Sequence, residues 1–382
     1  MLPPRDVTMA GLPDDVRGRF EGLDDGLHLV SHSLGAMPRA ARAAMKAHAD
    51  AWAERSVTAW EDWFPTVRYT ADLLGRIIGA PDGSVVLHQN VSALLAGILS
   101  ALRPTPTRNR VVTSARDFPT LRYVLAAHAD LGFEVVSLDT DDPAELAAAI
   151  DERTLLVAVS HVFYGTSTLL DTEPIVAAAR QHGALVLLDA YQSVGTVPVD
   201  VWDLDVDFLV GGSIKWLCGG PGVGYAYVQP EVAETLHPRA TGWIAHAAPF
   251  AFEPALREAE GAWRFVGGTP NPLAVAVARA GYDVVSDLRP AEIRAHSLAL
   301  TRRLMDGVRA QGCTVRTPDN DARRGGTVVF DFEGSAEACR ALLARRVWLD
   351  HRPGYGLRVS PHVYTREAEI DAFLEAVATV RR

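Results

Sequence analysis

Lysine is nearly missing from this sequence: of 37 lysine and arginine side chains, only Lys46 and Lys215 are lysine. Wherever positive charge alone is needed the chain uses arginine, whose guanidinium keeps its proton and cannot serve as a nucleophilic amine. A lysine retained against that bias marks a position that needs an amine. Lys215, set in "VGGSIKWLCGGPGVGYAYV" between small residues and a glycine-rich turn, is the candidate. Cysteine is scarce too, and Cys218, Cys313 and Cys339 form no C-x-x-C pair. That spacing excludes a disulfide framework and a structural zinc site. A basic surface is absent: the formal charge of −10 argues against nonspecific nucleic-acid binding, which depends on neutralising phosphates. No apolar run approaches the roughly 18 to 20 residues that span a bilayer, and the opening "MLPPRDVTMAGLPDDVRGRF" lacks the charged-then-apolar pattern of a secretion signal. The expectation is a cytoplasmic protein with neither membrane nor nucleic acid as partner. His28 and His32 stand four apart, but in an extended arm, so no metal site is predicted.

What is present is an ordinary globular composition, 48% hydrophobic and 22% charged, over 382 residues. Seven apolar runs alternate with alanine-rich helical stretches: "SVVLHQ", "RVVTSA", "FEVVSLD", "TLLVAVSHV", "ALVLLDA", "VDFLVGG" and "VGYAYV". Continuous apolar strands separated by helices predict an α/β fold with a mostly parallel sheet covered on both faces. The pattern divides the chain into an arm and helix over residues 1–60 that pack on a large domain, that domain over 61–284, and a small α+β domain over 285–382. Ligands of such sheets sit beyond the carboxyl ends of the strands. Gln89, Asn90, Asp117, Phe118, Ser160, His161, Asp189, Ser213 and Lys215 all fall there.

Asp189 ends one apolar run, and Lys215 lies just past the next. Both can face one crevice. A lysine amine with a carboxylate suits pyridoxal 5'-phosphate, whose aldehyde is held by an amine and whose ring nitrogen is kept protonated by an acid.

Further stretches are similar to one known group. "SHSLGAMPRAARAAM", "ARDFPT", "VSHVFYGTSTLLD", "DAYQSVG", "SIKWLCGGPG", "GWIAH", "RFVGGTPN" and "DHRPGYGLRVSPHVYT" occur in the order of motifs found in kynureninases. The sequence therefore resembles the fold-type-I, class V pyridoxal-phosphate enzymes, and kynureninases most closely among them. The resemblance implies that Lys215 holds the cofactor and moves the Cα proton, that Asp189 pairs with the ring nitrogen, and that Gln192 hydrogen-bonds the phenolic oxygen. It implies that Phe118 stacks on the ring. It assigns the phosphate to Asn90, Val91 and Ser92 at a helix start, where backbone N–H groups and the helix dipole favour an anion, together with Ser213 and with Thr269 reaching across a dimer interface. Arg358 is the expected clamp for a substrate carboxylate, with Trp243 and Tyr191 among the substrate-binding side chains. The partners so implied are a small-molecule amino acid and a second copy of the chain, sharing active sites.

Four residues depart from the kynureninase pattern: Ile214 replaces the tyrosine before the lysine, Leu121 an aspartate, Tyr191 an alanine and Gln192 a histidine. The expected activity is removal of the Cα proton followed by cleavage in the side chain, by hydrolysis or by elimination from Cβ. Transamination stays open as the alternative, and a catalytically silent relative is the remaining one. No cysteine stands shortly before Arg358, which argues against cysteine desulfuration. "GGPGVG" leads into an apolar strand rather than a helix, which argues against a dinucleotide loop.

Overall fold

The computed structural model describes residue 12 and residues 15–381. The seven apolar runs form seven strands after an initial short one, β1 (Leu27–His28): β2 (Val85–His88), β3 (Arg110–Ser114), β4 (Glu134–Leu138), β5 (Thr154–Ser160), β6 (Leu185–Asp189), β7 (Phe208–Gly212) and β8 (Gly224–Val228). They make one sheet in the order β2-β8-β7-β6-β5-β3-β4. Only β8 runs antiparallel to its neighbours. The expected mostly parallel, seven-stranded α/β sheet is thus present. β7 and β8 are buried along their whole lengths, as strands covered on both faces must be.

The topology dictates where chemistry collects. β6 and β7 are adjacent and parallel, with Asp189 paired to Val210, so the residues after both strands emerge at one edge. Beyond β2, Asn90 caps helix α3 (Val91–Ala101), which follows α1 (Arg39–Arg55) and α2 (Trp60–Ile77) in the chain; the Asn90 side chain accepts from the Ala93 N–H at 2.9 Å. Gly224 opens β8 beneath that cap. A Cβ there would stand 2.7 Å from the Asn90 carbonyl carbon and 2.9 Å from the Val91 nitrogen, so only glycine lets the start of α3 settle on the strand. The "GGPG" turn carries Gly220 and Gly222 at positive φ, 66° and 99°, and returns the chain from Lys215 into β8.

After the helix Pro272–Ser286, whose Ala274, Val275, Ala278 and Tyr282 join the strands of the large sheet in one apolar core, a long helix Pro290–Ala310 leads to β9 (Thr314–Val315), β10 (Val328–Asp331), β11 (Val347–Trp348), β12 (Asp350–Arg352) and β13 (Gly356–Val359). β12, β13, β10 and β9 form an antiparallel sheet in that order. A second apolar cluster, including Leu300, Leu304, Phe330, Leu357 and Phe373, sits under it. Leu29 of the N-terminal arm is buried in this second cluster, and β1 pairs in parallel with β11. The arm therefore joins the C-terminal unit as well as the large sheet, where the Gly35 N–H donates to the Ile214 carbonyl at 2.8 Å. Sequence periodicity carries no sign of a two-residue pairing across more than 300 positions.

Candidate active site

Lys215 lies in the turn three residues past β7, beside a cavity of about 230 Å³ whose walls are Asn90, Val91, Ser92, Phe118, Thr120, Ser160, Val162, Tyr164, Asp189, Tyr191, Gln192 and Lys215. Every residue comes from the carboxyl-terminal edge of the sheet or the segments just beyond it. Burial pushes the Lys215 amine down to about 8; the Asp189 charge opposes this, while the Arg358 and Arg352 guanidiniums add to it. Asp189 is buried, and burial raises its carboxyl, with Lys215 pulling the other way. Its Oδ1 accepts the Tyr191 N–H at 2.9 Å, which fixes the carboxylate at the strand end. Two aromatic rings border the amine: the centroid of Tyr191 is 4.2 Å from Nζ and that of Phe118 is 5.6 Å away.

Gln192 has most of its amide committed. Nε2 donates to the His32 carbonyl at 3.0 Å, and Oε1 accepts from Trp216 Nε1 at 3.0 Å. One N–H of the primary amide remains for a ligand. At the mouth of the cavity the N–H groups of Val91 and Ser92 have no partner within α3, as the first residues of any helix. These features fit pyridoxal phosphate: an amine of lowered basicity, a carboxylate held on an adjacent strand, an aromatic face and a helix start for the phosphate.

Four expected site residues, Ser213, Arg358, Trp243 and Thr269, do not line this cavity. Ser213 is fully buried, with its hydroxyl 2.6 Å from that of Tyr282, and it does not line the cavity. Its hydroxyl faces Tyr282 inside the core rather than the start of α3, where a phosphate was expected. Arg358 is also buried, and the two-pronged face expected for a substrate carboxylate is occupied by Asp350, through Nε at 2.8 Å and Nη2 at 2.6 Å. Nη1 donates to the Tyr164 carbonyl at 3.0 Å. His32 stands behind this pair, with Nε2 3.1 Å from Asp350 Oδ1 and Nδ1 2.7 Å from the Ser360 hydroxyl. Trp243 and Thr269 are bonded to each other, Nε1 to Oγ1 at 3.1 Å, and both are apart from the Lys215 cavity of their own chain. Trp243 belongs to an aromatic surface with Phe64 and Phe250, and Phe64 continues it to Trp60.

The sequence reading missed Tyr164, Thr120 and Asp350. Tyr164 carried a signal, lying within "VSHVFYGTSTLLD" four residues past β5. Asp117, noted from its place after β3, is structural: its carboxylate accepts the Ser160 N–H at 2.8 Å and the Ser114 N–H at 3.1 Å, and burial raises it to about 6. A larger cavity, about 280 Å³, lies between α2 and the loop at 194–199; its walls include Leu73, Val194, Val285 and Ile293 but no lysine or carboxylate, so this chemistry has no place there.

A family model described as aminotransferase class V matches residues 61–373. The chain belongs to the aminotransferase class V family. Among curated relatives, a kynureninase of Burkholderia pseudomallei is 34% identical over 93% of this chain and 88% of its own, and one of Pseudomonas fluorescens is 33% identical over 88% and 84%. The class V fold is shared with a cysteine desulfurase of Thermococcus onnurineus (TM-score 0.83, 20% identity, all of both chains) and with a cystine C–S lyase bound to cysteine persulfide (TM-score 0.85, 22% identity, 94% and 99%). This class V chain is a pyridoxal-phosphate-dependent enzyme that cleaves an amino-acid side chain, of hydrolase or lyase type. Among the described residues no helix is long and apolar enough to cross a membrane.

Proposed function

We propose that this enzyme takes the Cα proton of an α-amino acid with Lys215 and breaks the bond between Cβ and Cγ by hydrolysis, as its kynureninase relatives' name denotes. One observation carries the reading: a lysine amine lowered to about 8 shares a cavity with a buried carboxylate on the neighbouring parallel strand. An amine so tuned is partly unprotonated near neutral pH and can both accept and return a proton. Bound pyridoxal phosphate supplies an electron sink for the pair left at Cα.

The other assignments follow the cavity. Asp189 holds the ring nitrogen, Phe118 covers the ring, and Asn90, Val91 and Ser92 take the phosphate at the start of α3. Gln192 offers its remaining N–H to the phenolic oxygen. Arg358 is oriented by Asp350 and retains one N–H on each terminal nitrogen beyond its present bonds, and these are the donors assigned to the substrate carboxylate. The working unit is a homodimer. Support comes from the exposed aromatic side chains of Phe250 and Phe252 beside Trp243, which with Thr269 forms a pair that has no place in its own chain's cavity. A cytoplasmic setting agrees with three unpaired cysteines, all buried.

The test is product analysis. Purified holoenzyme is incubated with kynurenine and with a panel of amino acids and cysteine conjugates, with and without a keto acid, and products are identified by mass. Cleavage independent of keto acid and lost in Lys215→Ala is expected. Amino transfer that requires the keto acid, with no cleavage, refutes the reading; release of a Cβ leaving group in place of hydrolysis shifts it to elimination.

A further inference from the structure

Gly212 closes β7 within the antiparallel ladder to β8, opposite Gly224, at a backbone conformation open to any residue. Nothing in the strand requires glycine there. The requirement comes from above: the three atoms nearest to a Cβ at Gly212 all belong to the Tyr191 ring, which such a Cβ would strike at Cζ and the phenol oxygen and approach to 2.8 Å at Cε2. Tyr191 thus lies on the bare end of β7. Its hydroxyl makes no hydrogen bond among the described residues, so packing of the ring, not a bond to the oxygen, sets its position. From there the ring centroid is 4.2 Å from Lys215 Nζ. Tyr191 also follows Asp189 by two residues and donates its N–H to that carboxylate.

We propose that Tyr191 and Gly212 form a matched pair, in which the absent side chain at 212 seats the Tyr191 ring as a positioning surface that holds Lys215 against the cofactor. The inference rests on the cavity being the cofactor site. A π face beside a cationic nitrogen favours its protonated form, and an aromatic floor adds contact area to a flat ligand. The pair therefore tunes the nitrogen of Lys215 as well as the affinity for the cofactor. A small residue at 191 would leave the amine free to swing.

The experiment titrates pyridoxal phosphate into the cofactor-stripped full chain, following the visible band, for the wild type, Tyr191→Phe, Tyr191→Ala, Gly212→Ala and the double variant Tyr191→Ala/Gly212→Ala. Far-ultraviolet circular dichroism verifies the fold of each. Tyr191→Phe should bind within about twofold of wild type, and Tyr191→Ala roughly five- to tenfold more weakly. Gly212→Ala should weaken binding in the presence of Tyr191, yet add nothing to Tyr191→Ala, since its clash partner is then gone. The pH midpoint of the visible band should fall by roughly half to one and a half units in Tyr191→Ala and stay fixed in Tyr191→Phe, a readout that a purely structural role would not move. Wild-type affinity and midpoint in Tyr191→Ala, equal losses in the alanine and phenylalanine variants, or multiplicative losses in the double variant would each overturn the pairing. A wild-type chain that develops no visible band refutes the cofactor site itself, a different result from any of these.

Discussion

Stripped of cofactor, the full chain should carry at Lys215 an amine that titrates near pH 8 rather than at the usual 10.5. Burial is the main cause, with Arg358 and Arg352 adding to it and Asp189 opposing it. The consequence is large at neutral pH: an amine at about 8 is roughly a tenth unprotonated at pH 7, against about 0.03% at 10.5, a difference of roughly 300-fold in nucleophile. The assay is competitive acylation with a trace of anhydride across a pH series, read by mass spectrometry of the two lysine peptides. Lys46, exposed and paired with Asp50, is the internal reference. Asp189→Asn removes the charge that favours the cation, so its Lys215 midpoint should fall below that of the wild type. A midpoint above pH 10, or a rise in Asp189→Asn, would refute the electrostatic account.

Other outcomes follow from the same contacts. Because the folded amine lies below its unfolded value, the unfolded chain binds more protons between about pH 8 and 10.5, so stability of the cofactor-free protein should rise with pH in that window, by at most about 3 kcal/mol; urea melts of Lys215→Met should lose the slope. Arg358→Ala leaves the Asp350 carboxylate with Arg352 and His32 as its remaining partners and should destabilise by about 2 kcal/mol in the same assay, whereas Asp350→Asn should mainly raise KM for the amino acid. Gly224→Ala drives a Cβ into the start of α3 and should weaken pyridoxal phosphate binding severalfold in absorbance titrations. Light scattering should give twice the 41.2 kDa chain mass, and Phe250→Glu with Phe252→Glu should halve it.

The sheet and its reactive edge were legible because both are written in local pattern. Each of the seven apolar runs became a strand, and the rule that ligands lie past parallel strand ends directed attention to Asp189, Phe118, Asn90 and Lys215, which all meet at one cavity. What stayed hidden depends on pairs distant in sequence. The Ser213 hydroxyl is captured by Tyr282, and the Arg358 fork by Asp350, and neither capture follows from residue type or spacing. Tyr191 was visible as a departure from the family, but its seat on Gly212 emerges only when β7 and the loop after β6 are stacked. Trp243 is distant in sequence from Trp60 and Trp63, yet ring contacts through Phe64 join them into one surface.

The most direct test of the account uses the same scarcity of lysine. Holoenzyme is reduced with borohydride, digested, and its two lysine peptides are weighed. The account predicts the reduced cofactor on Lys215 in near-stoichiometric amount and none on Lys46. A cofactor-free Lys215 peptide, or label confined to Lys46, would contradict it.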